Sequence, residues 1–102
     1  MFMIRSIAQA QAGRRDEAVA LLKEFAAETR KELGHAEARI LTASIGPVDS
    51  TVVMERTVAT LAEFEQAIDA SNKWSGMQRY GKRFAEVFLP GTHRFEIYRI
   101  QS

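Results

Sequence analysis

Few side chains in this sequence carry the chemistry of a reactive centre. There is no cysteine, which removes thiol nucleophiles, thiolate zinc sites, iron–sulfur ligation and disulfides. The two histidines are His35, in a probable loop after Gly34, and His93, at the start of the last predicted strand. Their positions do not pair them as metal ligands and the carboxylates are scattered, so neither metal nor cofactor is expected. The chain has no phosphate loop, dinucleotide fingerprint, nucleophile elbow or His-Glu zinc helix. What remains can stack, hydrogen-bond and stabilise charge. Asn72, Trp74 and Tyr80 lie in one helical region and Arg94 opens the last strand, while Ser6, Gln9, Thr42, Ser44, Arg56 and Arg99 lie on predicted strands. Each has a plainer alternative. Trp and Tyr on an apolar helix are often core or interface residues, Asn at a helix break is often a cap, and the arginines have Glu55 and Glu96 as neighbours to pair with.

The elements that must position these residues follow from periodicity. Phe2 to Gln9 reads as a strand, with Phe2 and Ile4 on one face and Met3 and Ile7 on the other. Asp16 to Leu33 reads as a helix, because Ala18, Leu22, Phe25, Thr29 and Leu33 recur at helical spacing, with Val19 and Ala26 widening the stripe. Asp16 and Glu17 suit the positive end of its dipole, Arg30 and Lys31 the negative end, and Gly34 a C-terminal stop. Glu37–Ile45 and Thr51–Val58 form a predicted hairpin across Gly46-Pro47-Val48-Asp49-Ser50. Thr60 and Glu63 match a capping box at the start of a second helix. Its apolar face (Leu61, Phe64, Ala67, Ile68) fades around Ser71–Gly76 and resumes at Met77, Tyr80, Phe84, Val87 and Phe88, which predicts a kink or short break near Trp74. Thr92 to Ile100 is the last strand.

The 102 residues suit one domain, 1–102, with one core. Hydrophobic residues at 46% and charged residues at 26% are ordinary for a globular protein. A net charge of +1 gives no footprint for nucleic acid or an anionic membrane. With no spanning segment and no signal-peptide pattern at Met1–Arg5, the expectation is a cytoplasmic protein. The order is β-α-β-β-α-β, an α+β ferredoxin-like fold: a four-stranded antiparallel sheet with two helices on one face. Large apolar residues occupy both faces of the first, third and last strands: Phe2 and Ile4 against Met3 and Ile7, Val52 and Met54 against Val53, Phe95 and Ile97 against Tyr98 and Ile100. A two-layer domain would leave several of them in water, and such a patch usually marks an interface. The expected partner is a second copy, sheet to sheet.

Across the whole chain the pattern resembles the dimeric α+β barrel superfamily. The resemblance rests on Val53-Met54-Glu55-Arg56-Thr57 running into Thr60-Leu61-Ala62-Glu63-Phe64, a Trp midway along the second helix, and a closing Arg94-Phe95-Glu96-Ile97-Tyr98-Arg99-Ile100. That ending is similar to the last strand of NIPSNAP-like and antibiotic-biosynthesis-monooxygenase-like members. Haem-degrading members carry a histidine ligand on the second helix after a Trp. The matching stretch here, Gly81–Glu86, has none, which argues against haem, although Tyr80 is a conceivable iron ligand. Asn72, Trp74, Tyr80 and Arg94 resemble the Asn, Trp, Tyr and Arg of cofactor-independent quinone-forming monooxygenases. The resemblance implies that Trp74 stacks on a phenol or quinol, Tyr80 and Asn72 bond its oxygens, and Arg94 stabilises its anion.

Two functions follow from this reading. One is a homodimer with a cleft for a small apolar or aromatic molecule, in its sharpest form a cofactor-independent monooxygenase. The other is a non-catalytic binding or dimerisation module of the same fold, stress-associated or accessory to a pathway. Convergence of Asn72, Trp74, Tyr80 and Arg94 on one cavity would favour the first.

Overall fold

The computed structural model describes residues 1–101. Its strands are β1 (Phe2–Gln9), β2 (Ala38–Thr42), β3 (Thr51–Val58) and β4 (Arg94–Arg99), and its helices are α1 (Arg15–Leu33), α2 (Leu61–Lys73) and α3 (Met77–Val87). The sheet order is β2-β3-β1-β4 and every neighbouring pair is antiparallel. This is the ferredoxin-like arrangement, with the second helical region divided in two. The division falls where the apolar stripe fades: α2 ends at Lys73 and α3 starts at Met77. β2 is shorter than its pattern predicts, because Ser44 to Asp49 are exposed and lie in the turn.

Local chemistry fixes the element ends. Gly34 adopts φ 71°, a left-handed conformation that costs glycine little. The chain then doubles back, so that the Gly34 and His35 N–H groups donate to the carbonyls of Arg30 and Thr29. At α2, the Thr60 hydroxyl accepts from the Glu63 N–H at 3.1 Å. The Glu63 carboxylate accepts from the Ala59 N–H at 2.9 Å, one residue earlier than the usual box.

Alternation along the strands divides the sheet residues into two sets. Ile4, Ser6, Ala8, Val52, Met54, Arg56, Val58, Phe95 and Ile97 share the face turned to the helices. Arg5, Ile7, Glu55, Val53, Arg39, Leu41, Arg94, Glu96 and Tyr98 share the open face. α1 packs on β2 and β3, and α3 packs on α1. The core lies there: Ala18, Leu21, Leu22 and Phe25 of α1 meet Val52, Met54, Tyr80 and Val87. The described residues contain no helix long and apolar enough to cross a membrane.

Candidate functional site

A cavity of about 700 Å³ lies between the helix face of the sheet and α2, within the ~300–1,000 Å³ range of small-molecule sites. Ile4, Ser6 and Ala8 of β1, Met54, Arg56 and Val58 of β3, and Phe95 of β4 form its floor. Phe64, Ala67, Ile68 and Ser71 of α2 form its roof, and Leu22, Phe25 and Phe84 close one side. The space exists because α2 is loosely seated. Ser71 is its only buried residue, and Phe64 reaches β4 through an edge-to-face contact with Phe95 at 5.3 Å. Phe95 and Ile97 lie in the helix-facing phase, yet are 44% and 43% exposed.

Most of the wall is apolar, and its polar groups gather at two places. At the first, Ser6 Oγ and His93 Nε2 are 2.8 Å apart, and His93 meets the edge of Phe95 at 4.8 Å. Burial holds the His93 imidazole below its ordinary pKa. At the second, Arg56 donates from Nε to the Ala36 carbonyl at 3.1 Å and from Nη2 to Thr29 Oγ1 at 3.2 Å. No carboxylate among the described residues forms a salt bridge with it. Burial lowers its pKa from the usual guanidinium value, but guanidinium stays charged in proteins. His35 is 7% exposed, and neither ring nitrogen completes a hydrogen bond, although the Ala67 carbonyl is close by. Burial, and then the Arg56 charge, hold it below the ordinary imidazole pKa, against a smaller raising pull from that carbonyl, so it is mainly neutral at pH 7.

The four residues singled out from the sequence separate. Asn72 lines the cavity. Trp74 and Tyr80 stack on each other, centroids 5.7 Å apart, in a closed aromatic cluster with Phe25 and Phe84. The indole N–H of Trp74 donates to Glu32 at 2.9 Å. Tyr80 is wholly buried and its hydroxyl donates to Glu28. Burial, then the Glu28 carboxylate, push its phenol pKa up, so it stays protonated. Arg94 pairs in register with Ile7 on the open face and bonds Glu96 at 3.1 and 3.2 Å. The sheet therefore stands between Arg94 and the cavity within one chain. The described residues hold no cluster of three or more His, Asp or Glu side chains placed for a metal.

No protein-family model matches the chain, and no curated protein matches it significantly. Solved structures do match. A NIPSNAP family protein of Agrobacterium tumefaciens superimposes with a TM-score of 0.79 at 15% identity, over 98% of this chain and 92% of that one. An uncharacterised NIPSNAP domain protein of Burkholderia xenovorans gives 0.80 at 11% identity, over 100% and 96%. A candidate antibiotic biosynthesis monooxygenase of Deinococcus radiodurans gives 0.70 at 14%, over 100% and 94%. The chain has the fold of the NIPSNAP and antibiotic-biosynthesis-monooxygenase-like proteins. At such identities the likeness concerns backbone geometry and leaves the chemistry to the site itself.

Within this NIPSNAP-like fold the most unusual side chains are Arg56, among the strand-borne polar candidates with pairing to Glu55 as its plainer alternative, and His35, expected in a loop after Gly34. Arg56 was legible. Adjacent strand residues point to opposite faces, so Arg56 cannot share Glu55's side, and it falls in phase with Val52, Met54 and Val58. His35 was not legible from periodicity, because its burial depends on the Gly34 turn.

Proposed function

We propose that the chain binds a small, largely apolar or aromatic molecule in the cavity beneath α2. The observation that carries this reading is the cavity itself: apolar walls with a few convergent polar groups are what ligand sites are made of. In this reading Asn72 touches the ligand. Trp74 and Tyr80 act from behind the wall, fixing Phe25 and Phe84 against it. Titration with a panel of naphthalene and phenol derivatives, followed by protein NMR, tests it. Shifts should concentrate at Phe64, Ser71, Asn72 and Phe95, and a panel that shifts none of them overturns the proposal.

The proposed assembly is a homodimer that covers the open face. Tyr98 and Ile100 stay 48% and 41% exposed in a single chain, and a second copy would bury them. Light scattering after gel filtration at micromolar concentration should give the dimer mass, with Tyr98→Glu shifting it toward the monomer. A monomeric parent protein sinks the assembly.

The Ser6–His93 pair favours a second reading, in which the ligand is a phenol or quinol oxidised without metal or flavin. A neutral imidazole at the cavity wall can take a phenolic proton. Dioxygen is then the co-substrate: one oxygen atom enters the ring carbon to give a quinone, and the other leaves as water with two hydrogens of the phenol. Oxygen uptake with phenols and hydroquinones should fall with His93→Ala. Uptake no faster than the uncatalysed rate leaves the binding function alone.

A further inference from the structure

Resting on the binding function proposed above, we infer that the cavity's ligand is an organic monoacid whose carboxylate is held by Arg56 and His35 while its apolar body lies under α2. Three observations carry this. First, Arg56 sits in a cross-strand row with Ala38, Ile4 and Ile97, so its charge faces an aliphatic floor. An unpaired charge in such surroundings is costly, and a bound anion would remove that cost. Second, a guanidinium has five N–H donors, of which Ala36 and Thr29 engage two. The rest are available to a carboxylate, whose two oxygens match the guanidinium fork. Third, His35 is more than nine-tenths buried, lies beside Arg56 on the same cavity wall, and neither ring nitrogen completes a hydrogen bond, the Ala67 carbonyl being the nearby backbone acceptor. Buried polar atoms normally find partners. Both nitrogens face inward from the cavity surface, so a turn of the ring on binding is what would bring one to a ligand oxygen.

The chemistry also limits the charge. Among the described residues, Arg56 is the only cationic side chain on the cavity wall and Glu63 the only carboxylate. Glu63 is exposed and bonded to the Ala59 N–H at the start of α2. A dianion such as a phosphate monoester would bring a second charge with no counter-charge among apolar walls. Ser6 and His93 form a separate polar point toward β4, suited to a hydroxyl or carbonyl on the ligand body.

The test is calorimetric titration with 2-naphthoate and with its neutral counterpart 2-naphthalenemethanol. The parent protein should bind the acid at least ~10-fold more tightly, about 1.4 kcal/mol. Arg56→Met should reduce the two affinities to the same value, and His35→Phe should weaken naphthoate more than the alcohol. If both compounds bind equally to the parent protein, or the preference survives Arg56→Met, the acid inference falls and the apolar site stands. If neither compound binds, both fall. Should Arg56→Met fail to fold, the Arg56 Nε–Hε resonance of the parent protein gives the same answer. It should move with naphthoate and not with the alcohol, and an unmoved resonance overturns the inference.

Discussion

Two adjacent rows of the same sheet treat charge in opposite ways. On the open face, Arg39, Glu55, Arg5 and Glu96 are cross-strand neighbours through all four strands, so the signs alternate. Glu55 bonds both Arg39 and Arg5, and Glu96 takes Arg94 and the Tyr98 hydroxyl. One residue along, on the helix face, the row is Ala38, Arg56, Ile4 and Ile97, with a single cation and no anion. The open-face charges satisfy each other and so add little beyond a defined surface. The helix-face charge is unanswered, in a cavity, beside an unsatisfied imidazole. Opposite-sign neighbours across strands stabilise a sheet by a few tenths to 1 kcal/mol, whereas an uncompensated half-buried cation opposes folding. A residue that opposes folding and lines a cavity points to binding.

The largest expected effect belongs to the packed side of the helix layer. Tyr80→Ala should lower unfolding free energy by ~3–5 kcal/mol, the usual cost of deleting a buried aromatic, read by urea denaturation. Tyr80→Phe should lose less, about 1.5–3 kcal/mol, the net worth of a hydrogen bond to a charged group. If Tyr80→Ala leaves stability intact while abolishing an activity, Tyr80 is a reacting group and not a packing residue.

Glu55 tests the open face. It is 4% exposed, although Arg39 beside it is largely in water. Glu55→Gln should cost ~1–2 kcal/mol, less than a fully enclosed pair would, because water can re-solvate the released arginines. Hydrogen bonding from Arg39, against burial and with help from Arg5, keeps this carboxyl below its ordinary 4.5. Its contribution is therefore complete above pH 4.5 and is lost as pH falls through the lower folded value. The Gln variant should show a shallower acid limb in a stability–pH series. Identical limbs would mean that the ladder is ornamental.

Much of this was legible in the sequence. β1 and β3 follow from alternation, α1 from its apolar stripe, and the break at Trp74 from the loss of that stripe between Ser71 and Gly76. Strand phase also separates Arg56 from Glu55 without coordinates. Phase cannot show how closely a helix seats on a sheet, and the cavity depends on that seating. The resemblance to cofactor-independent monooxygenases likewise groups Asn72, Trp74, Tyr80 and Arg94 into one constellation. Their separation is set by where the Trp74 ring turns, toward Glu32 and Tyr80, and by the phase of Arg94, which matches Arg5's neighbours on the open face. The phase was readable, and the indole's direction was not.

His35 gives a smaller effect with a definite sign. Burial and then Arg56 depress its pKa below the ordinary 6.5, so the unfolded chain takes up the proton first. Stability should be whole above pH 6.5, decline as pH drops toward the folded value at up to ~1.4 kcal/mol per unit, and level off below it. His35→Phe removes that slope. A slope that persists in the variant assigns it to His93, whose pKa burial also lowers, and would weaken the case for an enclosed His35.

The smallest effect is expected at Arg94, which makes it the sharpest probe of the two faces. Its guanidinium is mostly solvated and, among the described residues, paired only with Glu96 two residues away, an arrangement that contributes little in water. Arg94→Gln should leave the melting temperature within experimental scatter and the naphthoate affinity unchanged, because in one chain the sheet separates it from the cavity. Arg56→Met, by contrast, should spare no preference for the acid. If Arg94→Gln instead weakens naphthoate ten-fold, the open face of one copy reaches the cavity of another. The division between a satisfied face and an unsatisfied one would then hold only within a single chain, with the assembly completing the site.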